Sequence, residues 1–279
     1  FFTRSISFGF CFVSIALILT FLVIFVDSNK STLQSTEEKF IVLKRVKHDR
    51  SSYTQGLSWD GRRLFESSGL YGKSNIRQIN PQNGAVLKKT KYPDTDFAEG
   101  ITIFEDSKGK KLIIGITWQE QNGYIYDPDT LTVIRTFKYE TSTSEGWGIT
   151  YNNRTKEFIV SDGSEWLHFW DRDSLKEKRR IRVKYLQEGN PSLTDFEDNL
   201  NELEYVPRGN FLLANVWLTD RIVKINISSG DIIQTYDMSS LLRPATADVL
   251  NGISITNVKD EYWITGKLWS TMYRVKLLV

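Results

Sequence analysis

Residues 99–118 read EGITIFEDSKGKKLIIGITW, and the fold turns on how this stretch is built. ITIF is a short run of β-branched and aromatic residues, EDSKGK is polar and turn-forming, and KLIIGITW is a second apolar run. Strand, turn and strand in so few residues is a hairpin pattern. The opening triplet Glu99-Gly100-Ile101 has four counterparts along the chain: Gln55-Gly56-Leu57, Trp147-Gly148-Ile149, Asn201-Glu202-Leu203 and Asn251-Gly252-Ile253. Their first residues are spaced by 44, 48, 54 and 50 residues. A period of about 40–50 residues is that of four-stranded propeller blades.

The segments after the triplets repeat as well. First strands read LSWD, ITIF, ITYN, LEYV and ISIT; second strands read RLFESSG, KLIIGITW, EFIVSDG, FLLANVW and EYWITGK. A third strand ends, in four units, near a polar turn: NPQNG, DPDT, DRDS and NISSG. Asn, Asp, Pro and Gly there supply the local hydrogen bonds and positive φ of a tight turn. Fourth strands such as VLKKTKY, LTVIRTF and DIIQTYD come next. The fifth unit lacks one, because its third strand, MYRVKLLV, runs to residue 279. FIVLKRVKHD, before the first triplet, resembles an isolated fourth strand. Pairing it with MYRVKLLV closes the ring and removes an open edge. The expectation is an all-β, five-bladed β-propeller over 40–279, closed by its N-terminal strand. A β-sandwich or two small barrels would explain neither the period nor the missing strand.

Upstream the composition changes. Ile6 to Val26 carries no charge, and about 20 apolar residues span a bilayer. Length favours a transmembrane signal-anchor over residues 1–27 against a cleaved signal ending near Val26-Asp27-Ser28. Residues 28–39 read as a linker. Either reading sends the domain into the secretory pathway, as a single-pass membrane protein with a lumenal or extracellular domain, or secreted if the signal is cleaved. Sequons at Asn29, Asn153 and Asn226 agree. The single cysteine, Cys11, lies in the apolar run, so the propeller has no disulfide. With 36 basic and 34 acidic residues there is no electrostatic case for nucleic acid.

In a propeller the first strands line the channel, and the loops entering them open on one face with the second-to-third-strand turns. That geometry places Gln55, Glu99, Trp147 and Asn201 around one mouth, with Trp118, Trp217 and Lys267 on the same rim. Singly each has an ordinary role: Glu99 and Lys267 as surface charges, the indoles as inter-blade packing, and Gln55 and Asn201 as turn formers. All seven at equivalent positions of repeated units point to a site. His48 and His168 lie in different units with no second ligand at metal spacing, and both read as structural. A Ser/His/Asp mechanism would need a nucleophile beside one of them, which nothing in the sequence suggests. No phosphate loop or Gly-x-Ser-x-Gly elbow is present.

Six motifs in order then carry a resemblance: Tyr53-Thr54-Gln55-Gly56-Leu57, Phe97-Ala98-Glu99-Gly100-Ile101-Thr102, Glu145-Gly146-Trp147-Gly148-Ile149-Thr150, Leu200-Asn201-Glu202-Leu203-Glu204-Tyr205, Val249-Leu250-Asn251-Gly252-Ile253 and Thr265-Gly266-Lys267-Leu268-Trp269. Together, across 40–279, they resemble the plant-type glutaminyl-peptide cyclotransferases. The resemblance implies a five-bladed propeller that converts N-terminal glutaminyl residues of peptides and proteins to pyroglutamyl with loss of ammonia. It implies a site of Gln55, Glu99, Trp118, Trp147, Asn201, Trp217 and Lys267; the residues themselves give the expectation of no metal or cofactor, and a monomer is expected. Ala98 stands where the family often has Gly, and the segment from Lys184 to Asn199 is longer than usual. The alternative reading is a non-catalytic, membrane-anchored propeller that binds a protein partner; a sugar-lactone or quinone-type enzyme would need metal-ligand acids or cofactor sites that the sequence lacks.

Overall fold

The computed structural model describes residues 39–185 and 195–278. The apolar run, the linker up to residue 38, Cys11 and the Asn29 sequon lie outside the described residues. Among those described, no helix is long and apolar enough to cross a membrane.

Strand β1 (Phe40–Lys47) opens the domain. Blade 1 is β2 (Thr54–Trp59), β3 (Leu64–Ser68), β4 (Asn75–Ile79) and β5 (Val86–Lys91). Blade 2 is β6 (Ala98–Glu105), β7 (Lys111–Thr117), β8 (Asn122–Tyr126) and β9 (Val133–Lys138); blade 3 is β10 (Ile149–Asn152), β11 (Glu157–Ser161), β12 (Trp166–Asp171) and β13 (Glu177–Arg182). After β14 (Lys184–Tyr185), blade 4 is β15 (Leu200–Val206), β16 (Phe211–Val216), β17 (Arg221–Asn226) and β18 (Asp231–Asp237). Blade 5 is β19 (Leu250–Ile255), β20 (Glu261–Gly266) and β21 (Thr271–Leu277), and its fourth place is taken by β1.

The expected closure is therefore present. β1 runs antiparallel to β21 from Phe40↔Leu277 to Lys47↔Thr271. β14 is a feature the repeat did not announce. It adds to the outer edge of blade 4, parallel to β18, and the returning chain is tied back where Arg221 donates two hydrogen bonds to Glu197 at 2.8 and 3.0 Å. The described ends of the long segment thus anchor on blade 4.

Strands alternate so that each sheet is apolar on both faces, and the core is five wedges between blades rather than one centre. Blades 1 and 2 share Phe65, Ile76, Ile101 and Ile113; blades 3 and 4 share Ile159, Phe169, Leu203 and Leu212. The wedge between blades 5 and 1 holds Leu57, Leu64, Trp263 and Met272, and Val46 of β1 fills it with them. Phe40, at the other end of β1, packs with Tyr262 and Leu277 in the wedge between blades 4 and 5. β1 is thus both an edge cover and a core contributor. Fully burying one Val or Phe side chain is worth about 1.5–3 kcal/mol. Removing residues 1–46 should then lower Tm by about 10 °C or more, whereas removing residues 1–30 should leave it unchanged. Equal melting of the two truncated chains overturns this closure.

The third-to-fourth-strand turns use one device in four blades. The amides of Gly84, Leu131, Leu175 and Gly230 donate to the carbonyls of Asn80, Asp127, Asp171 and Asn226 at 2.7–2.9 Å. All four donors have φ between 57° and 80°. The two leucines accept this conformation, which favours glycine, while their side chains stay buried.

Around the axis the triplet glycines have a different reason. A Cβ on Gly56 would lie 2.5 Å from the amide nitrogen of Ile101, and one on Gly100 would lie 2.6 Å from that of Ile149. Neighbouring inner strands approach too closely for a side chain. Blade 4 has Glu202 instead, and its carboxylate reaches across the channel to accept from Leu57 N at 3.1 Å and Ile253 N at 2.7 Å. One level further along, Glu204 accepts from Ile255 N at 3.3 Å. Burial holds Glu202 well above the usual carboxylate range and pushes Glu204 up to about 8.

These raised carboxyls make stability depend on pH with a definite sign. A carboxyl raised on folding favours the native state most below its unfolded value, near 4.5, and loses that contribution as pH rises through about 8. Each tenfold displacement in acidity is worth about 1.4 kcal/mol. Half of the distance from 4.5 to about 8 gives about 2 kcal/mol, or about 4–8 °C in Tm for a domain of this size. The Tm of Glu204→Gln minus that of the unaltered protein should rise by this amount between pH 4 and pH 9. A difference that stays flat with pH rules out Glu204 as the titrating group.

Candidate active site

The inner-strand triplets bring five side chains to one mouth of the channel. Gln55 and Glu99 are the second residues of β2 and β6, Asn201 and Asn251 those of β15 and β19, and Trp147 lies just before β10. Trp118, Trp217 and Lys267 each come directly after a second strand, β7, β16 and β20. Leu218 and Leu268, just beyond the last two, have φ of 62° and 61°, so the chain turns sharply after each functional side chain.

Gln55 donates from Nε2 to Glu99 Oε1 at 2.9 Å. Its own carbonyl accepts from Asn251 Nδ2 at 3.1 Å, and that amide also donates to Thr54 O at 3.1 Å. Gln55 is therefore oriented with its amide nitrogen toward the acid. Glu99 is only 5 % and Lys267 only 4 % exposed. Both lie below the rim rather than on it, which removes the surface-charge reading. Burial pushes the Glu99 carboxyl well above its ordinary value; the Lys267 charge opposes this, and Glu145 and Glu120 reinforce it. Burial likewise lowers Lys267, against the charges of Glu99 and Asp248. The Lys267 ammonium lies 4.8 Å from the Tyr53 ring centroid, a cation–π contact, and burial with the nearby Asp248 charge raises the Tyr53 hydroxyl above its ordinary value.

The indoles form an arc. Trp118 meets Phe97 edge-on at 5.6 Å, and Trp147 meets Trp217 edge-on at 5.4 Å. Between the pairs stands Glu145, whose Oε2 accepts from Trp118 Nε1 at 2.7 Å and Trp147 Nε1 at 2.9 Å. Phe97 continues the arc to Tyr53 at 6.2 Å, and so to Lys267. All seven expected residues lie at this mouth. Asn201 is joined to it by its backbone, where Ser161 Oγ donates to Asn201 O at 2.6 Å. Its side-chain Oδ1 is a buried acceptor with no hydrogen-bond partner among the described residues. An unpaired buried acceptor costs about 1–3 kcal/mol, and a bound donor would recover that.

Several participants were not among the expected residues. Asn251 opens the fifth triplet at the same position as Gln55 and Glu99, so the repeat itself was its signal. Glu145 precedes Trp147 by two residues, but its role depends on Trp118, 27 residues earlier. Tyr53 and Asp248 carried no signal of their own. Glu202 and Glu204, which a reading of the motif alone treats as neighbours of Asn201 with no role, are buried channel carboxylates.

The histidines are structural as expected, with one correction. A serine does stand beside His168: Ser142 Oγ is 3.3 Å from Nε2. The same ring nitrogen contacts Asp162 at 3.0 Å while Nδ1 contacts Glu177 at 2.6 Å. With carboxylates at both nitrogens, the imidazole is raised above its ordinary value despite burial. Ser142 Oγ instead donates to Asp162 Oδ2 at 2.6 Å, so its proton is directed to a carboxylate and not to the ring. His48 is likewise locked, to Glu66 at 3.0 Å and Trp269 O at 2.9 Å. No group of three metal-ligating side chains occurs among the described residues. A separate surface cavity of about 880 Å³ opens at the other end of blades 4 and 5.

Known proteins resemble this chain in both sequence and fold. The chain is 34% identical over 243 residues to a glutaminyl-peptide cyclotransferase of Arabidopsis thaliana, covering 85% of this chain and 70% of the relative. The crystal structure of a glutaminyl cyclase from Myxococcus xanthus superposes with a TM-score of 0.72 at 26% identity, over 86% of this chain and 97% of the other. The profile of the glutamine cyclotransferase family matches residues 15–277, which takes in all five blades and every residue of the mouth. The chain belongs to the glutamine cyclotransferase family.

Proposed function

We propose that this chain performs its family's reaction, closing an N-terminal glutaminyl residue to pyroglutamyl with release of ammonia, with Glu99 as proton shuttle and Lys267 as the oxyanion's counter-charge. The observation that carries this is the buried Glu99, held by Gln55 and opposed by Lys267 beneath the indoles. The substrate supplies its own nucleophile, so the site must fold the side chain back, move protons and stabilise negative charge.

A peptide amino group titrates near 8, and burial, by raising the Glu99 carboxyl above its ordinary value, makes it a better proton acceptor than an exposed acid. Glu99 as carboxylate takes one proton from the substrate ammonium. The freed amine adds to the γ-carboxamide carbon, forming the ring N–C bond and an oxyanion. Lys267 Nζ lies on the acid's side of the mouth to meet that charge. Glu99 then gives its proton to the amide nitrogen and takes one from the ring nitrogen. The C–N bond to ammonia breaks as the carbonyl re-forms, and departing ammonia leaves with the last proton as ammonium. Asn201 Oδ1 is the unpaired acceptor for a substrate N–H. Trp118, Trp147 and Trp217 hold the bent side chain and exclude water.

Since nucleophile, base and electrophile are all organic groups here, turnover is proposed to be metal-independent. Ammonia release from a Gln-initiated peptide should persist in EDTA and in a heterocyclic chelator. Loss of activity that zinc restores overturns that part. No turnover at all, from a folded protein, overturns the reading as a whole. The domain is further proposed to act as a monomer beyond a membrane, anchored through residues 6–26. Exposed sequons at Asn153 and Asn226 suit a secretory location.

A further inference from the structure

Glu145 is the most connected polar group at the mouth, and it has no chemical step in the proposed reaction. We propose that it is the positioning residue of this site: one carboxylate that fixes two walls of the substrate collar and sets the field in which Glu99 exchanges its proton. The inference rests on the proposed role of Glu99 and adds to it.

The geometry separates positioning from catalysis. Oε2 accepts from both Trp118 and Trp147, and Oε1 accepts from Gln119 Nε2 at 3.1 Å. Three donors occupy the carboxylate, so it has little capacity left for substrate. An indole N–H is a donor only, and a bond to an ionised acceptor is roughly twice as strong as a neutral one. Each ring is therefore pinned at its nitrogen by Glu145 and braced at its edge, Trp118 by Phe97 and Trp147 by Trp217. The carboxylate itself stands on a fixed loop. Thr141 Oγ1 donates to Glu145 O at 2.6 Å, and Gly146 N donates to Trp118 O at 2.9 Å. Trp118 comes from blade 2 and Trp147 from blade 3, so Glu145 also ties two blades together at the rim.

Its charge reaches Glu99. The groups that face this acid are Gln55, which donates to it, Lys267, whose charge favours its ionised form, and Glu145 and Glu120, which oppose ionisation. Tyr53, Tyr71 and Tyr139 also feel the Glu99 charge, and Asp248 acts on Lys267. Neutralising Glu145 removes one of two opposing charges, so the acid limb of kcat/KM should move to lower pH.

Two variants separate the two roles. Glu145→Gln keeps a carbonyl oxygen for the indoles and loses the charge. The expected result is KM within about threefold and an acid limb displaced to lower pH. Glu145→Ala frees both rings. Misplacement of about 1 Å can cost about a hundredfold, so kcat/KM should fall at least about tenfold, mostly through KM. Exposed Glu140, on the same loop, supplies the control: Glu140→Gln should move neither quantity.

Binding of a Gln-initiated peptide, tracked by tryptophan fluorescence in a Glu99→Gln background, gives a readout apart from turnover. There Glu145→Ala should still weaken binding at least about tenfold. If Glu145→Gln leaves the limb in place, or Glu145→Ala binds peptide normally, the proposal fails while the role of Glu99 stands. If Glu99→Gln alone turns over normally, the reading of the base is what fails. A loss in both Glu145 variants that tracks only a lower Tm reduces Glu145 to a structural residue and overturns the proposal.

Discussion

Glu99→Gln should lower turnover of a Gln-initiated peptide by at least about a hundredfold, the low end for lost acid–base catalysis. The amide keeps the size of the side chain and a carbonyl oxygen for Gln55, whose bond to Glu99 is 2.9 Å long. What it loses is the charge that receives an ammonium and the site that carries its proton to the leaving nitrogen. Stability should move the other way. The Glu99 carboxyl is raised well above 4.5 by burial, so it favours folding most below that value and progressively less as pH rises. A neutral amide escapes this, and the variant should melt at the same temperature or higher at pH 8. The combination is diagnostic, because a misfolded variant would lose activity and Tm together. Near-normal cyclisation by a Glu99→Gln protein with unchanged melting would falsify the assignment of Glu99 as the shuttle.

Glu99 also marks the boundary of what the sequence makes legible. Blade count, strand order and the closing strand were legible because each arises from a local pattern repeated at a fixed interval. The turn residues Asn80, Asp127, Asp171 and Asn226 recur at one place in four units, and all four turns form alike. Position in the repeat also sufficed to bring Gln55, Glu99, Trp147 and Asn201 to one mouth. It could not give depth. Glu99 and Lys267 looked like rim charges, whereas the folded ring leaves them only 5 % and 4 % exposed. Glu202 was invisible for a related reason. It breaks the glycine pattern, and only the ring's geometry shows that its carboxylate crosses the channel to backbone amides of two other blades. Glu145 needed a partner 27 residues away in another blade, which no short motif records.

Lys267→Ala is expected to lower kcat by about 10²–10³-fold, the usual cost of one oxyanion donor. Its second effect distinguishes it from Glu99→Gln. The Lys267 charge holds the Glu99 carboxyl down against burial, Glu145 and Glu120. Without it Glu99 rises further, so the residual activity should show an acid limb at higher pH than in the unaltered protein. Glu145→Gln should move the same limb to lower pH, and the two changes form a pair of opposite sign about one acid. Lys267 itself is lowered by burial, with Glu99 and Asp248 opposing. A lowered ammonium favours folding most above its unfolded value, near 10.5, and costs the native state stability while it must stay charged at neutral pH. Removing it should therefore leave Tm at pH 7 little changed, the lost contact with the Tyr53 ring being offset by the end of that cost. The measurement is kcat and kcat/KM across pH 5–9, with Tm recorded on the same samples. A large loss of kcat with the limb unmoved, or moved downward, would mean that Lys267 and Glu99 do not share one electrostatic site, and the proposed division between proton shuttle and oxyanion partner would not stand.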